Sequence, residues 1–400
     1  MKKIITLFLV IAMMVASVIG MTSCGKTEYT KDNTEIVIGV SGPLTGGAAV
    51  YGIAVRNAAQ MAVDEINANG GLDGIKFKFI ASDDKHDPTN VTTSYSSMYE
   101  AGMQISLGCV TTKPGLEFKE LSKDDNVFVL TPSATGDLIP EYDNAFQMCF
   151  ADSNQGGASA EYFNTNFTGK KIGVFYKSDD EYSKGIRDQF LSKLSADLKA
   201  NLKEASFKGK ESDFNTQVNT LKECDVIFMP IYYDPASQFM VAGKDTIKAS
   251  AVYFGCDGLD GIDAIKGFDI NSIPQEVSYL SHFNSGATTG AAADFIKAYN
   301  DKYDEDKEPL NQFGAAAYDC VYAIFEALKV AKANGKTVTA TTSASDFCEI
   351  LKEVFTSETF VFKGVTGKAE SDGYSRISWT DDGFVNKEAV KYIVKESSAK

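Results

Sequence analysis

A chain of 400 residues, 44% of them apolar, has the composition of a folded globular protein and not of a disordered one. Its 39 Lys+Arg stand against 54 Asp+Glu, a net charge of -15. That balance argues against nucleic acid or an anionic lipid surface as partner, since both need a basic face, although solubility alone accounts for most of the acidity.

Lys2 and Lys3 open the chain, an apolar run extends from Ile4 to Ile19, and Met21-Thr22-Ser23-Cys24-Gly25 follows. A basic start, a brief apolar segment and small residues mark an export signal. The run is short against the about 20 residues that a bilayer span needs. Cys24 after small residues resembles a bacterial lipobox, whose cysteine becomes the lipidated first residue of the mature chain. The expectation is a signal peptide over 1–23, lipidation at Cys24, a polar tether over 24–34, and a body anchored outside the cytoplasm. Later stretches are not apolar enough to span a membrane, so the lipid is the expected membrane contact.

Beyond the tether, short runs rich in Val, Ile and Phe recur at Ile36–Val40, Phe77–Ile80, Ile105–Leu107 and Val127–Leu130. A second series follows at Ile172–Tyr176, Val226–Met229, Val252–Phe254 and Val277–Leu280. Helical periodicity lies between them. Ala54, Ala58, Met61, Ala62, Glu65 and Ile66 form one stripe that stops at Asn69-Gly70-Gly71, and a second helix is predicted from Gly314 to Ala333. Alternating strand and helix predicts parallel sheets covered by helices. The chain is long enough for two domains of roughly 150–190 residues. The predicted fold class is therefore α/β, with two Rossmann-like lobes.

In open parallel sheets ligands bind beyond the carboxyl ends of the strands. That rule selects the loops 41–52, 108–112, 131–135, 177–182, 230–234 and 255–258. The first-lobe loops carry small hydroxyl residues at helix starts, where free N–H groups favour an anion. The second-lobe loops carry carboxylates and tyrosines. A ligand with a carboxylate beside an ammonium group suits that pairing. Taken singly, each Ser or Thr is explained as a helix cap and each Asp or Gly as a turn residue; six loops at matching positions favour a ligand.

Catalytic readings fare poorly. The two histidines, His86 and His282, are far apart and read as surface or packing residues. No Gly-x-Ser-x-Gly, His-Glu-x-x-His or phosphate-binding Gly-rich loop occurs. Gly255–Gly261 lacks the terminal Glu of a calcium loop. Cys109, Cys149, Cys224, Cys256, Cys320 and Cys348 form no Cys-x-x-Cys pair and lie mostly in apolar runs, which predicts buried thiols while leaving disulfides open in an exported protein. The expectation is a non-enzyme with no cofactor and no metal.

IGVSGPLTGGAAVYG followed by AVDEINANGGLDG resembles the opening of the branched-chain amino-acid-binding proteins, the type I periplasmic solute-binding proteins of ABC importers. LTPSATGD, GVFYKSDDEYSKG, VIFMPIYYDPA, YFGCDG, AAAYDCVYAIFEAL and FKGVTGK follow in that family's order over nearly the whole mature chain. The resemblance implies the type I periplasmic binding protein fold, two lobes joined by a three-segment hinge near 146–152, 280–283 and 360–364. Lobe 1 would comprise 35–148 and 283–360, and lobe 2 149–282 and 361–400. It implies a monomer that closes on an amino acid, of the leucine, isoleucine and valine type, and delivers it to ABC permease subunits. An amide, urea, an aromatic acid or a peptide-like compound are the alternative ligands, and a sensory receptor subunit the alternative role.

The resemblance also implies roles by position. Thr111 and Thr112, with Ser133, Ala134 and Thr135, would hold the ligand carboxylate through hydroxyl and N–H groups, and Thr135 would also reach the ammonium. Tyr182 would line the pocket from the second lobe, Asp257 would face the ammonium, and Tyr51 would wall the side chain. The chain departs from the family at Phe146-Gln147-Met148, which lacks the usual arginine, and at Asp257, where the aliphatic binders carry a longer glutamate.

Overall fold

Seven consecutive buried residues, Ile36–Gly42 (β1), need cover on both faces, which a parallel sheet flanked by helices supplies. The computed structural model describes residues 29–304, 307–387 and 390–397. The expected signal peptide and Cys24 lie outside the described residues. After β1 come α1 (Ala49–Ala68), β2 (Phe77–Asp83), α2 (Val91–Glu100), β3 (Ile105–Cys109), α3 (Thr112–Asp124), β4 (Phe128–Thr131) and β5 (Ala145–Gln147). The second series is α4 (Asp152–Asn166), β6 (Ile172–Lys177), α5 (Glu181–Lys193), α6 (Ala196–Lys199), β7 (Lys203–Phe207), α7 (Asn215–Leu221), β8 (Val226–Met229), α8 (Tyr233–Gly243), β9 (Val252–Gly255) and β10 (Glu276–Ser281). The chain then forms α9 (Gly290–Lys302), α10 (Gln312–Ala333), α11 (Ala344–Phe355), β11 (Phe362–Gly364), β12 (Ser375–Trp379), β13 (Val385–Asn386) and β14 (Val390–Lys395).

The first sheet is parallel with the order β2-β1-β3-β4-β5. The second reads β14-β10-β9-β8-β6-β7, parallel except where β14 runs against β10. Counted from its own first strand, each lobe repeats one doubly wound order, with a crevice where the order reverses, between β1 and β3 and between β6 and β8. These are the two α/β lobes that the alternating runs predict.

Local chemistry sets the element ends that shape the cleft. α1 stops in a Schellman motif: Gly71 N–H donates to the Ile66 carbonyl at 2.9 Å and Gly70 N–H to Asn67 at 3.2 Å, with both glycines at positive φ. At its start, a Cβ on Gly52 would lie 2.1 Å from the Pro43 carbonyl oxygen, so only glycine lets the loop after β1 fold back onto the helix. α10 begins at Asn311, whose Oδ1 accepts from the N–H groups of Phe313 and Gly314.

After β5, the last strand of the first sheet, the chain runs through the buried segment Met148–Ala151 into the second series, and after β10 it continues through the buried His282 and Phe283 to α9. The remaining passage differs from the expected one. Residues 362–386 stay beside the first lobe as the antiparallel sheet β11-β12-β13, and β14 alone joins the second sheet. The reason is aromatic burial. Trp379 packs 4.5 Å from Phe355 of α11 and stacks on Phe360, and its Nε1–H donates to the Gln147 carbonyl at 2.8 Å. A half-buried lysine ties this sheet to the segment after β5: Lys387 Nζ donates to the Met148 carbonyl and to Thr366 Oγ1, both at 2.6 Å.

All six cysteines from Cys109 to Cys348 are buried free thiols. Among the described residues no helix is long and apolar enough to cross a membrane, and no cluster of side chains could hold a metal ion.

Candidate functional site

Strand ends from both lobes converge on one enclosed space lined by Tyr51, Val110, Thr111, Thr112, Ser133, Thr135, Tyr182, Tyr232, Asp257, Gly258 and Phe313. The first lobe supplies Tyr51 from α1, Val110–Thr112 after β3 and Ser133 and Thr135 after β4. The second supplies Tyr182 after β6, Tyr232 after β8 and Asp257–Gly258 after β9. Both sets stand at carboxyl ends because each sheet is parallel and faces the other.

Seven of the eight ligand residues named from sequence line this space. Ala134 does not: its side chain turns toward Gly115 and Ile139, and its N–H donates to Thr131 Oγ1 at 3.1 Å. The loop turns on Thr131, which takes up the group that a carboxylate would otherwise use.

The first-lobe side is a helix start lined with hydroxyl groups. α3, 13 residues long, starts at Thr112, and its N-cap Thr111 makes no side-chain bond to the first turn. The positive end of the helix dipole therefore stands at the cleft without a capping side chain. Thr112 Oγ1 and Thr135 Oγ1 lie 3.5 Å apart on the same wall. Thr111 Oγ1 meets His86 Nδ1 at 2.9 Å. His86 is half-buried and packs against two residues of the cleft wall, Thr111 and Tyr232, whereas His282 is buried in packing against Phe150 and Phe313 after β10.

The second-lobe side carries buried carboxyl groups. The Tyr182 hydroxyl donates to Asp257 Oδ1 at 2.7 Å and accepts from the Gly258 N–H at 2.9 Å, while Gln155 Oε1 accepts from the Asp257 N–H at 3.1 Å. Burial pushes the Asp257 carboxyl up to about 7, against the opposing pull of Tyr182 and Gln155. Asp152, the first residue of α4, is also buried, and burial raises its carboxyl well above the usual range, against a bond from Thr135. Neither carboxylate has an ion-pair partner among the described residues. Asp152 Oδ1 and Gln155 Nε2 are buried without a hydrogen-bond partner, an arrangement that costs about 1–3 kcal/mol per group unless something fills it.

Asp152, Gln155, Tyr232, Phe313 and His86 were not singled out by sequence as ligand residues. Tyr232 stands in one of the six selected loops, so the strand-end rule could have found it. Asp152 and Gln155 sit in the first turn of the helix after Met148–Ala151, where no motif marks them.

The cleft is already closed by protein. Tyr51 Oη donates to the Gly258 carbonyl at 2.5 Å, and Gln312 N–H donates to Asp260 Oδ2 at 2.8 Å, each joining the two lobes. The space left inside is about 10 Å³, near the minimum for one water molecule.

A family model described as periplasmic binding protein matches residues 35–374. The Leu/Ile/Val-binding protein BraC3 of Rhizobium johnstonii is 27% identical over 358 residues, covering 87% of this chain and 92% of that protein. The branched-chain amino acid transporter substrate binding protein LivJ of Streptococcus pneumoniae, solved with isoleucine, aligns with a TM-score of 0.69 at 25% identity over 90% of this chain and all of that one. A solute binding protein of an ABC transporter from R. palustris, in complex with benzoate, aligns at 0.72 over 90% of this chain and 93% of its own, at 16% identity. That last likeness bears on fold alone.

Proposed function

The chain belongs to the periplasmic binding protein family, with the type I fold, and from that premise we propose that it is the extracytoplasmic receptor of an ABC importer for an amino acid of the leucine, isoleucine and valine type. The observation that carries this reading is a buried carboxyl, Asp257, on the second-lobe wall of the cleft, with the hydroxyls of Thr111, Thr112, Ser133 and Thr135 on the first-lobe wall. A zwitterion answers both sides: its carboxylate takes the first-lobe donors, and its ammonium supplies the missing cation. Ligand contacts to both lobes favour the closed state, which the permease reads.

In this proposal Cys24 carries the lipid anchor, the body is a monomer without enzymatic activity, and the lobes divide near 148 and 283. The aromatic lining of Tyr51, Tyr182, Tyr232 and Phe313 favours an aromatic acid as the second reading; Asp257 weighs against it, because a simple acid brings that buried carboxyl no cation.

A thermal-shift screen of the body from Lys26 onward tests the assignment. Ligand at about a hundred times its Kd adds roughly 2.7 kcal/mol, several degrees for lobes of this size. Shifts confined to branched-chain amino acids are expected. A response to benzoates with silence across the amino acids would replace the ligand class.

A further inference from the structure

Tyr232 precedes α8 with extended backbone, φ −72° and ψ 158°, and this sends its side chain across the cleft from the second lobe. Its ring lies flat on Tyr182 of the same lobe, centroids 4.6 Å and planes 9° apart. On the opposite lobe it meets His86 edge-on at 5.2 Å and Tyr51 at 5.8 Å. Its hydroxyl faces the backbone of Thr112, the first residue of α3. The other tyrosines of the pocket are fastened by short bonds, Tyr51 to the Gly258 carbonyl and Tyr182 to Asp257. Tyr232 is held by ring faces and by the helix start.

With that ring in place the enclosed space is about 10 Å³, and no amino acid fits beside it. We infer that Tyr232 is an intramolecular occupant of the binding seat, its hydroxyl standing where a ligand carboxylate would lie and its ring where a ligand side chain would lie, so that a ligand binds by expelling it. This rests on the amino-acid reading of the cleft and sharpens it. The slot that Tyr232 vacates, between Tyr182 and His86, has the size of a phenol ring. It selects a branched aliphatic or aromatic side chain over glycine or alanine, whose small groups do not replace the contacts given up. Because the occupied state is not competent to bind, its population lowers the apparent affinity by the competent fraction.

The test uses Tyr232→Ala and Tyr232→Phe in the full soluble body, with thermal unfolding confirming that each variant folds. Titration calorimetry with L-leucine, L-phenylalanine and glycine is expected to show Tyr232→Ala binding the two larger amino acids at least fivefold more tightly than the wild type. Tyr232→Phe falls between them. In small-angle scattering without ligand, Tyr232→Ala is expected to have a larger radius of gyration, because a tie between the lobes is gone. Weaker binding by Tyr232→Ala together with an unchanged radius would overturn the inference and make Tyr232 an ordinary wall of the site. If no amino acid binds either protein, the amino-acid reading fails and scattering still decides the occupant: a larger radius upholds it, an unchanged one removes it.

Discussion

The Tyr51 hydroxyl reaches across the cleft to the Gly258 carbonyl at 2.5 Å, so a bond made wholly by the protein holds the two lobes together. Tyr51→Phe removes that bond and keeps the ring packed against Tyr233 and Phe313, 4.8 and 5.1 Å away. One hydrogen bond is worth about 1 kcal/mol, or roughly fivefold in the balance of open and closed forms. The ligand-free variant should therefore be more expanded in solution scattering. An unchanged radius of gyration would mean that the bond contributes nothing to closure.

Asp257 and Thr135 line the same cleft from different sheets. Asp257→Ala removes the carboxylate proposed for the ammonium, and Thr135→Ala removes a hydroxyl proposed for the carboxylate. Each should weaken amino-acid binding at least tenfold in calorimetric titration, as expected when a buried charged group loses a partner. Full affinity in both variants would dismiss the two-ended clamp.

Burial raises the Asp257 carboxyl from 3.8 to about 7. Between those values the folded protein keeps a proton that the unfolded chain releases, so this group's contribution to ligand-free stability is lost as pH rises through that window. Asp257→Asn has no proton to lose. Its melting temperature should match the wild type near pH 4 and exceed it increasingly up to about pH 8. Amino-acid binding runs the other way, because an ammonium prefers the ionised carboxylate, and wild-type affinity should rise over the same range. A melting difference that shrinks with rising pH would contradict the buried-carboxyl account.

The six cysteines are free and buried, and burial raises the thiols of Cys109, Cys149 and Cys320 well above their usual range. A thiol reagent such as Ellman's should leave the native body unlabelled and react after denaturation, since the thiolate is the reactive form. Dithiothreitol should not change the melting temperature; a clear drop would reveal a disulfide.

The strand-end rule made most of the cleft legible. Thr111, Thr112, Ser133, Thr135, Tyr182 and Asp257 each follow an apolar run that could be read as a parallel strand, and the fold brings such positions to one place. Tyr51 closes the loop 41–52 that the same rule selects, and the role expected of each of these residues came from the family resemblance. Asp152 and Gln155 escaped because a polar residue in the first turn of a helix is ordinary; what marks them is the lack of partners once buried, and that is a tertiary fact. Tyr232 and Tyr233 are adjacent in sequence, and only the direction of each side chain tells them apart. The placement of residues 362–386 was hidden for a similar reason. Nothing local to Phe360 or Trp379 says that Phe355 will be the surface that covers them.

Trp379 is the chain's single tryptophan. Its indole N–H is bonded to the last residue of β5, one position before the segment Met148–Ala151. Indole emission from this protein therefore arises at one buried point, where the small antiparallel sheet meets the end of β5, and it reports whether that sheet stays seated on the first lobe.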